Sequence, residues 1–163
     1  MKTVIIVRHA KSSWEAADIK DFDRPLNERG KKDAVEMAQR LLKKTGSIDA
    51  FISSPAKRAK KTAEIFANEF NSSDIIYIEG LYHSPSSFIS AVISKTDEKY
   101  NTIAIFSHNP GITEFVNMLT DSIRTDNVPT CGIFAVRAAI DKWDAFETAK
   151  KDFWFYDYPK HAQ

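Results

Sequence analysis

The apolar positions change period along the chain, and each change marks an element. Four apolar, mostly β-branched residues, Val4-Ile5-Ile6-Val7, run without a polar break into Arg8 and His9, the pattern of a strand buried on both faces of a parallel sheet. Short apolar runs recur at Ala50 to Ile52, Ile75 to Ile78 and Ile103 to Phe106. Between them the spacing becomes helical. Ala34, Met37, Ala38, Leu41 and Leu42 fall on one helix face, with Asn27 as the expected N-cap and Lys43, Lys44 and Gly46 suited to the C-terminus. The sets Ala59/Ala63/Phe66/Ala67/Phe70, Phe88/Val92/Ile93 and Ile112/Phe115/Val116/Leu119 repeat that period. Each follows a Ser-Pro or Asn-Pro step, at Ser54-Pro55, Ser84-Pro85 and Asn109-Pro110, which predicts a capping side chain before a proline at the first helical position.

Ser12 to Asp23 has no clean period and reads as a loop over the end of the first strand. Beyond Gly132 the period becomes two, with Phe134, Val136, Ala138 and Ile140 alternating, and Trp143 to Thr148 and Phe153 to Tyr158 read as further strands. The aromatics Phe153-Trp154-Phe155-Tyr156 are expected to pack the sheet. The repeated β-α order predicts an α/β fold, a three-layer α/β/α sandwich whose mostly parallel sheet ends in an antiparallel addition. A length of 163 residues fits one domain over 1–163.

Composition changes this picture mainly by exclusion. The net charge of +1 gives no global field for nucleic acid or membrane, so neither is expected as a partner and any basic character must be local. The single cysteine, Cys131, rules out an intrachain disulfide framework and reads as a buried small hydrophobe. Only four apolar residues separate Thr3 from Arg8, short of the roughly 7 to 15 of a signal-peptide core, and no stretch approaches the roughly 20 of a membrane helix. A cytoplasmic location is expected. The five glycines match neither a phosphate loop nor a dinucleotide fingerprint, and no paired-His or calcium-loop pattern occurs. No metal or cofactor is expected.

The candidate chemistry lies at the strand ends. In open α/β sheets the ligand crevice lies outside the carboxyl ends of the strands, where Arg8 and His9, Arg58 and His108 would meet. A neutral imidazole is a competent nucleophile toward phosphorus. Guanidinium forks match the oxygens of a transferring phosphoryl group, and their charge lowers an imidazole pKa. The N-termini of the helices after Ser54-Pro55 and Asn109-Pro110 would add positive dipole at the same edge.

These residues carry a resemblance. Arg8-His9-Ala10-Lys11-Ser12 resembles the Arg-His-Gly motif of the histidine phosphatase superfamily, also called phosphoglycerate mutase-like, with Ala10 in place of the usual glycine. Ser53 to Ala63 is similar to its second motif, and Ser107-His108-Asn109-Pro110-Gly111 to the segment with its second histidine. The short length, Lys11-Ser12-Ser13-Trp14 and Asp23 to Gly30 resemble the SixA-type phosphohistidine phosphatase branch. The resemblance implies His9 as the phosphorylated nucleophile and Arg8, Arg58 and His108 as the phosphate pocket, with Ser12 and Asn109 as further phosphate contacts. Glu15 falls near a phosphate-contacting position of the mutases, but a carboxylate there would repel phosphate. Many relatives carry an acidic proton donor in the loop before the third helix; counting from Leu81 puts His83 at that position with Glu79 nearby, so the donor is His83, Glu79 or neither.

The function implied is a metal-independent phosphatase acting through phosphorylated His9 on a phosphorylated substrate, such as a phosphohistidine-containing protein. The alternatives are a small-molecule phosphomonoesterase of the same fold, a phosphomutase, which the short chain disfavours, and a non-catalytic phosphate-binding module. A metal site on His9, His83 and His108 would need carboxylates or thiolates that the motifs do not supply.

Overall fold

The computed structural model describes residues 1–15 and 17–161. Ala16, within the expected loop, and Ala162 and Gln163, at the end of the expected domain, lie outside the described residues. In chain order the elements are β1 (Lys2–Arg8), α1 (Glu28–Thr45), β2 (Ala50–Ser53), α2 (Lys57–Glu69), β3 (Ile75–Tyr77), α3 (Ser86–Ser94), β4 (Thr102–Ser107), α4 (Gly111–Leu119), β5 (Ile133–Ala138) and β6 (Asp152–Asp157). The strands form one sheet in the order β3-β2-β4-β1-β5-β6. Pairing is parallel among β3, β2, β4 and β1, and antiparallel from β1 to β5 and from β5 to β6.

Because successive side chains of a strand point to opposite faces, the apolar run of β1 feeds two cores. Val4 and Ile6 pack with Ile89, Val92 and Ile93 of α3 and Ile112, Phe115 and Val116 of α4. Ile5 and Val7 pack with Ala34, Met37 and Leu41 of α1 and Ala63 and Phe66 of α2. All four β1 residues are fully buried, and each such burial stabilises by about 1.5 to 3 kcal/mol. The result is the three-layer sandwich that the period predicts.

The parallel register brings three strand ends together. Arg8 pairs with Ser107, and Ser53 with Phe106, so the residues that leave β1, β2 and β4 emerge at one edge. The backbone continues the ladder a step further, through His9 N to Ser107 O at 3.2 Å and Ser54 N to Phe106 O at 3.0 Å. The Cys131 N–H, at 3.1 and 3.0 Å from the carbonyls of Arg8 and His9, fastens the end of β1 from the other side. Its thiol is buried and pushed up by desolvation, the inert small hydrophobe expected.

Several local expectations are corrected. Asn27 does cap α1, accepting from Gly30 N at 2.7 Å, but α2 starts two residues after Pro55, and Pro85 and Pro110 stand at the cap itself. The Ser54 hydroxyl instead accepts from Ala56 N at 3.2 Å and reaches His108. Trp143 to Thr148 is not a strand: Trp143–Ala145 is a 3-10 turn. Trp143 is fully buried there, its indole N–H donating to Tyr100 O at 2.9 Å and its backbone N–H to Glu98. That buried plug replaces a ladder. The aromatics of β6 do pack the sheet, Phe153 and Tyr156 against one core and Phe155 with Trp154 in the other. Among the described residues no helix is long and apolar enough to cross a membrane.

Two glycines set close approaches beside the strand ends. A Cβ on Gly30 would collide with the Lys11 carbonyl, and one on Gly111 with the Ser84 carbonyl, so α1 and α4 can press against backbone only there. Gly30→Ala should therefore cost roughly 1 to 3 kcal/mol, as overpacking against a fixed neighbour does. Urea denaturation should show a lower midpoint at an unchanged slope, and an unshifted midpoint would mean that the contact relaxes freely.

Candidate active site

His9 stands one residue beyond β1 with its ring buried. Its Nδ1 lies 2.8 Å from the Ala10 carbonyl oxygen. A carbonyl can only accept, so Nδ1 carries the proton and Nε2 the lone pair. The other end agrees: Nε2 accepts from Nε of Arg58 at 3.3 Å. The ring is thereby held from both sides, with an unprotonated nitrogen facing a guanidinium. Thr62 secures the same turn, its Oγ1 accepting from Ala10 N at 3.0 Å and donating to the Arg58 carbonyl at 2.7 Å.

His108 leaves β4 beside it, the ring centroids 5.1 Å apart. Its Nε2 is 2.8 Å from the Ser54 hydroxyl, whereas its Nδ1 is buried without a partner among the described residues. Arg8 donates through Nη1 to the Val128 carbonyl at 2.9 Å, and its Nε is likewise buried and unpartnered. Buried polar atoms are nearly always paired in folded proteins, so two orphans on these two residues mark a place for a polar ligand.

Burial is the largest cause of the low His9 pKa, about 3, with the charges of Arg58, Arg8 and Arg24 adding to it and the Ala10 bond opposing. His108 is lowered by burial first, then by His9, Arg58 and His83. The expectation that the arginines keep His9 neutral is thus correct in sign, but desolvation does more of it.

Among the described residues the one carboxylate in the cluster, Asp21, comes from the aperiodic loop. Its Oδ2 accepts from Arg58 Nη2 at 3.0 Å and from the Tyr82 hydroxyl at 2.7 Å, and its backbone carbonyl from Arg58 Nη1 at 2.6 Å. Its Oδ1 accepts from Arg24 Nε at 3.2 Å. Burial works against the charge, yet Tyr82, Arg58 and Arg24 outweigh it and hold Asp21 well below the usual carboxylate range. Asp21, Arg24, Tyr82, Ser54 and Thr62 were not singled out as site residues from the chain alone.

The remaining candidates divide. His83 is brought to the site: its Nε2 is 3.4 Å from Asp21 Oδ2, its ring 60% exposed and centred 6.1 Å from that of His108. Its φ of 56° is unusual for a non-glycine, and Ser107 Oγ, donating to the Leu81 carbonyl at 2.8 Å, ties this loop to the end of β4. Glu79 is exposed and bonds to none of these groups among the described residues. Ser12 accepts from Arg24 Nη1 at 2.7 Å, which places it beside the cluster through Arg24. Asn109 is tied up by neighbouring groups. Its Nδ2 donates to Asn127 Oδ1 and to the Val128 carbonyl, and its Oδ1 accepts from Thr113 N and Oγ1, so its donors hold the loop that receives Arg8. Among the described residues no group of three or more His, Cys, Asp or Glu side chains is arranged to hold a metal ion.

A buried, unprotonated imidazole nitrogen among guanidiniums is fitted to take a phosphoryl group, an arrangement of the kind that histidine phosphatases use. The chain is similar to the histidine phosphatase superfamily. It matches branch 1 of that superfamily over residues 4–82, the span from β1 to Tyr82. A crystal structure from Agrobacterium tumefaciens described as the phosphohistidine phosphatase SixA superposes with a TM-score of 0.81 at 25% identity, over 97% of this chain and 98% of that one. The protein histidine phosphatase SixA complexed with tungstate superposes with a TM-score of 0.80 at 24% identity, over 96% and 97%. An uncharacterized chloroplastic protein of Arabidopsis thaliana is 28% identical over 154 residues, 88% of this chain and 69% of that protein. Fold and neighbours together support a phosphatase hydrolase with a phosphorylated substrate.

The neutral histidines make stability depend on pH. On unfolding each regains an ordinary value of about 6.5, so below that pH the unfolded chain binds more protons and stability falls as pH falls. Each neutral ring contributes a slope of about 1.4 kcal/mol per pH unit from about 6.5 toward about 3 for His9. Below about 4 Asp21 acts in the same direction. Urea midpoints should drop between pH 7 and pH 5, and His108→Asn should flatten that drop. An identical drop in the variant would mean that His108 is charged in the folded chain.

Proposed function

We propose that this chain is a phosphatase that carries the phosphoryl group on Nε2 of His9 and that its substrate is a phosphohistidine-bearing protein. The observation that carries the reading is the tautomer of His9: the Ala10 carbonyl accepts from Nδ1–H, leaving a lone pair on Nε2 at the centre of the cationic cluster. The SixA neighbour at 25% identity supports the substrate class.

In the first step the Nε2–phosphorus bond forms while the phosphorus–nitrogen bond to the substrate imidazole breaks, and that ring, already protonated on its other nitrogen, leaves as neutral imidazole. In the second, a water oxygen attacks phosphorus, the Nε2–phosphorus bond breaks, and phosphate departs with His9 neutral again. Arg8 Nε and His108 Nδ1, buried without partners, are assigned to the phosphoryl oxygens. On this reading the Ser54 hydroxyl, which already accepts from Ala56 N, donates a hydrogen bond to His108 Nε2, so that the proton of the neutral ring sits on Nδ1. Each such donor aimed at developing charge is typically worth about 2.7 to 4 kcal/mol. Asp21 has two parts: it aligns the Arg58 fork in the resting state and orients His83. The arginines supply the charge stabilisation, and no step is assigned to a metal.

The Asp21–His83 pair favours a second reading, a small-molecule phosphomonoesterase. An alkoxide leaving group needs a proton, and general acid catalysis contributes about 10² to 10⁴-fold to such a step, whereas imidazole, with a pKa of about 6.5, leaves with far less help. Turnover of a phosphohistidine peptide, phosphoramidate and an alkyl phosphate separates the two. The N–P substrates should be preferred, chelation should leave their rate unchanged, and His83→Ala should reduce only the alkyl phosphate rate severely. Preference for the alkyl ester in the native chain would select the second reading, and a chelation loss restored by added cation would overturn the metal-independent mechanism.

A further inference from the structure

Beside the candidate site lies a groove of about 640 Å³ whose charge the proposed chemistry does not use. One wall is the 22–26 segment, which follows Asp21 directly and contains Arg24. The other runs from Pro55 along the first turns of α2, the helix that carries Arg58. The groove therefore starts at the mouth of the site. Its charged lining is Lys31, Lys57, Lys60 and Lys61 against Asp23 and Glu64.

All four lysines are exposed. Lys31 pairs with Glu28 at 3.4 Å, but among the described residues Lys57, Lys60 and Lys61 make no salt bridge. Lys60 leans over the Tyr77 ring, 5.4 Å from its centroid. This is an unfavourable place for cations. The N-terminal turns of a helix are the positive end of its dipole, and like charges four residues apart, as at Lys57 and Lys61, repel. No acidic residue in the first turn of α2 offsets them. A chain with a net charge of +1 has not placed them there through general basicity. The concentration works against the helix and favours an anionic partner.

We propose that this groove is a docking track for the acidic flank of a phosphohistidine-bearing polypeptide. The proposal rests on the phosphohistidine reading above and adds the chemistry of the partner: carboxylates close in sequence to the phosphorylated residue lie along α2 while the phosphoryl group enters at His9. The exposed lysines raise the local concentration and the encounter rate of such a segment, and the apolar Phe22, Pro25 and Leu26 wall receives its uncharged side chains. A free phosphate or a small phosphoramidate does not extend into the groove and gains nothing from it.

The test compares three substrates, a phosphohistidine peptide flanked by glutamates, the same peptide flanked by lysines, and phosphoramidate, on the native chain and on Lys57→Gln/Lys60→Gln/Lys61→Gln. The native chain should prefer the acidic peptide, and that preference should fade as salt rises from about 0.05 to about 0.3 M. The variant should lose about tenfold in kcat/KM on the acidic peptide, mostly through KM, the scale expected for lost charge complementarity, with phosphoramidate turnover unchanged within about twofold. If the triple variant fails to give a native circular dichroism spectrum, Lys61→Gln alone should show the same selective loss in smaller degree. Equal kcat/KM of the native chain on the two peptides, or an equal loss on all three substrates, would overturn the docking track. Inhibition of peptide turnover by polyuridine RNA but not by polyglutamate would overturn it in favour of nucleic acid. Failure of the native chain to turn over phosphoramidate or either peptide would instead remove the phosphohistidine reading on which the proposal rests.

Discussion

Burying β1 on both faces is the constraint from which the site follows. Val4 to Val7 have no exposed surface, so helices must cover the sheet on both sides, and the polar residues that end the run, Arg8 and His9, are left at its carboxyl edge. The β-α crossovers that supply those helices also make β2 and β4 parallel to β1. The ends of all three strands then converge, with His9, Arg58 and His108 attached to them. A reversed β4 would carry His108 to the far edge of the sheet. The antiparallel β5 serves a different purpose, bringing Cys131 N to the carbonyls of Arg8 and His9 and Val128 O to the Arg8 guanidinium.

The electrostatics of the edge follow from how few counter-charges it holds. The charge of Arg58 adds to burial in lowering Arg8, His9 and His108, and Arg8 adds to it at His9, and among the described residues one carboxylate, Asp21, faces the cluster. Its placement resolves two difficulties at once. It satisfies the Arg58 fork in the absence of a ligand, and with a side chain 41% exposed it can be displaced or solvated when an anion arrives. The two polar atoms it does not satisfy, on Arg8 and His108, are the ones that gain from a phosphoryl group.

Much of this was legible in the chain because it is written in period and in short motifs. The run into Arg8-His9, the apolar strands before Ser53 and Ser107, and the helical spacing behind them identify the layers and put four site residues at one edge. What was not legible depends on long-range partners. Asp21 lies in a loop with no period, and its donors Arg58 and Tyr82 are 37 and 61 residues away. Trp143 reads as a strand residue until Tyr100, 43 residues earlier, is seen to receive its indole proton. Asn109 sits inside a family motif, yet its amide is consumed by Asn127, Val128 and Thr113, a commitment that no spacing reveals. The histidine tautomers likewise depend on which carbonyl or hydroxyl faces each ring nitrogen.

The central claim is that Nε2 of His9 is the attacking atom because the Ala10 carbonyl holds the proton on Nδ1. It is tested most directly by trapping the phosphorylated chain in alkali after rapid reaction with phosphoramidate and locating the phosphoryl group by heteronuclear NMR. The account predicts a single phosphohistidine, at His9, bonded through Nε2. Phosphorylation through Nδ1, or on any residue other than His9, would contradict it.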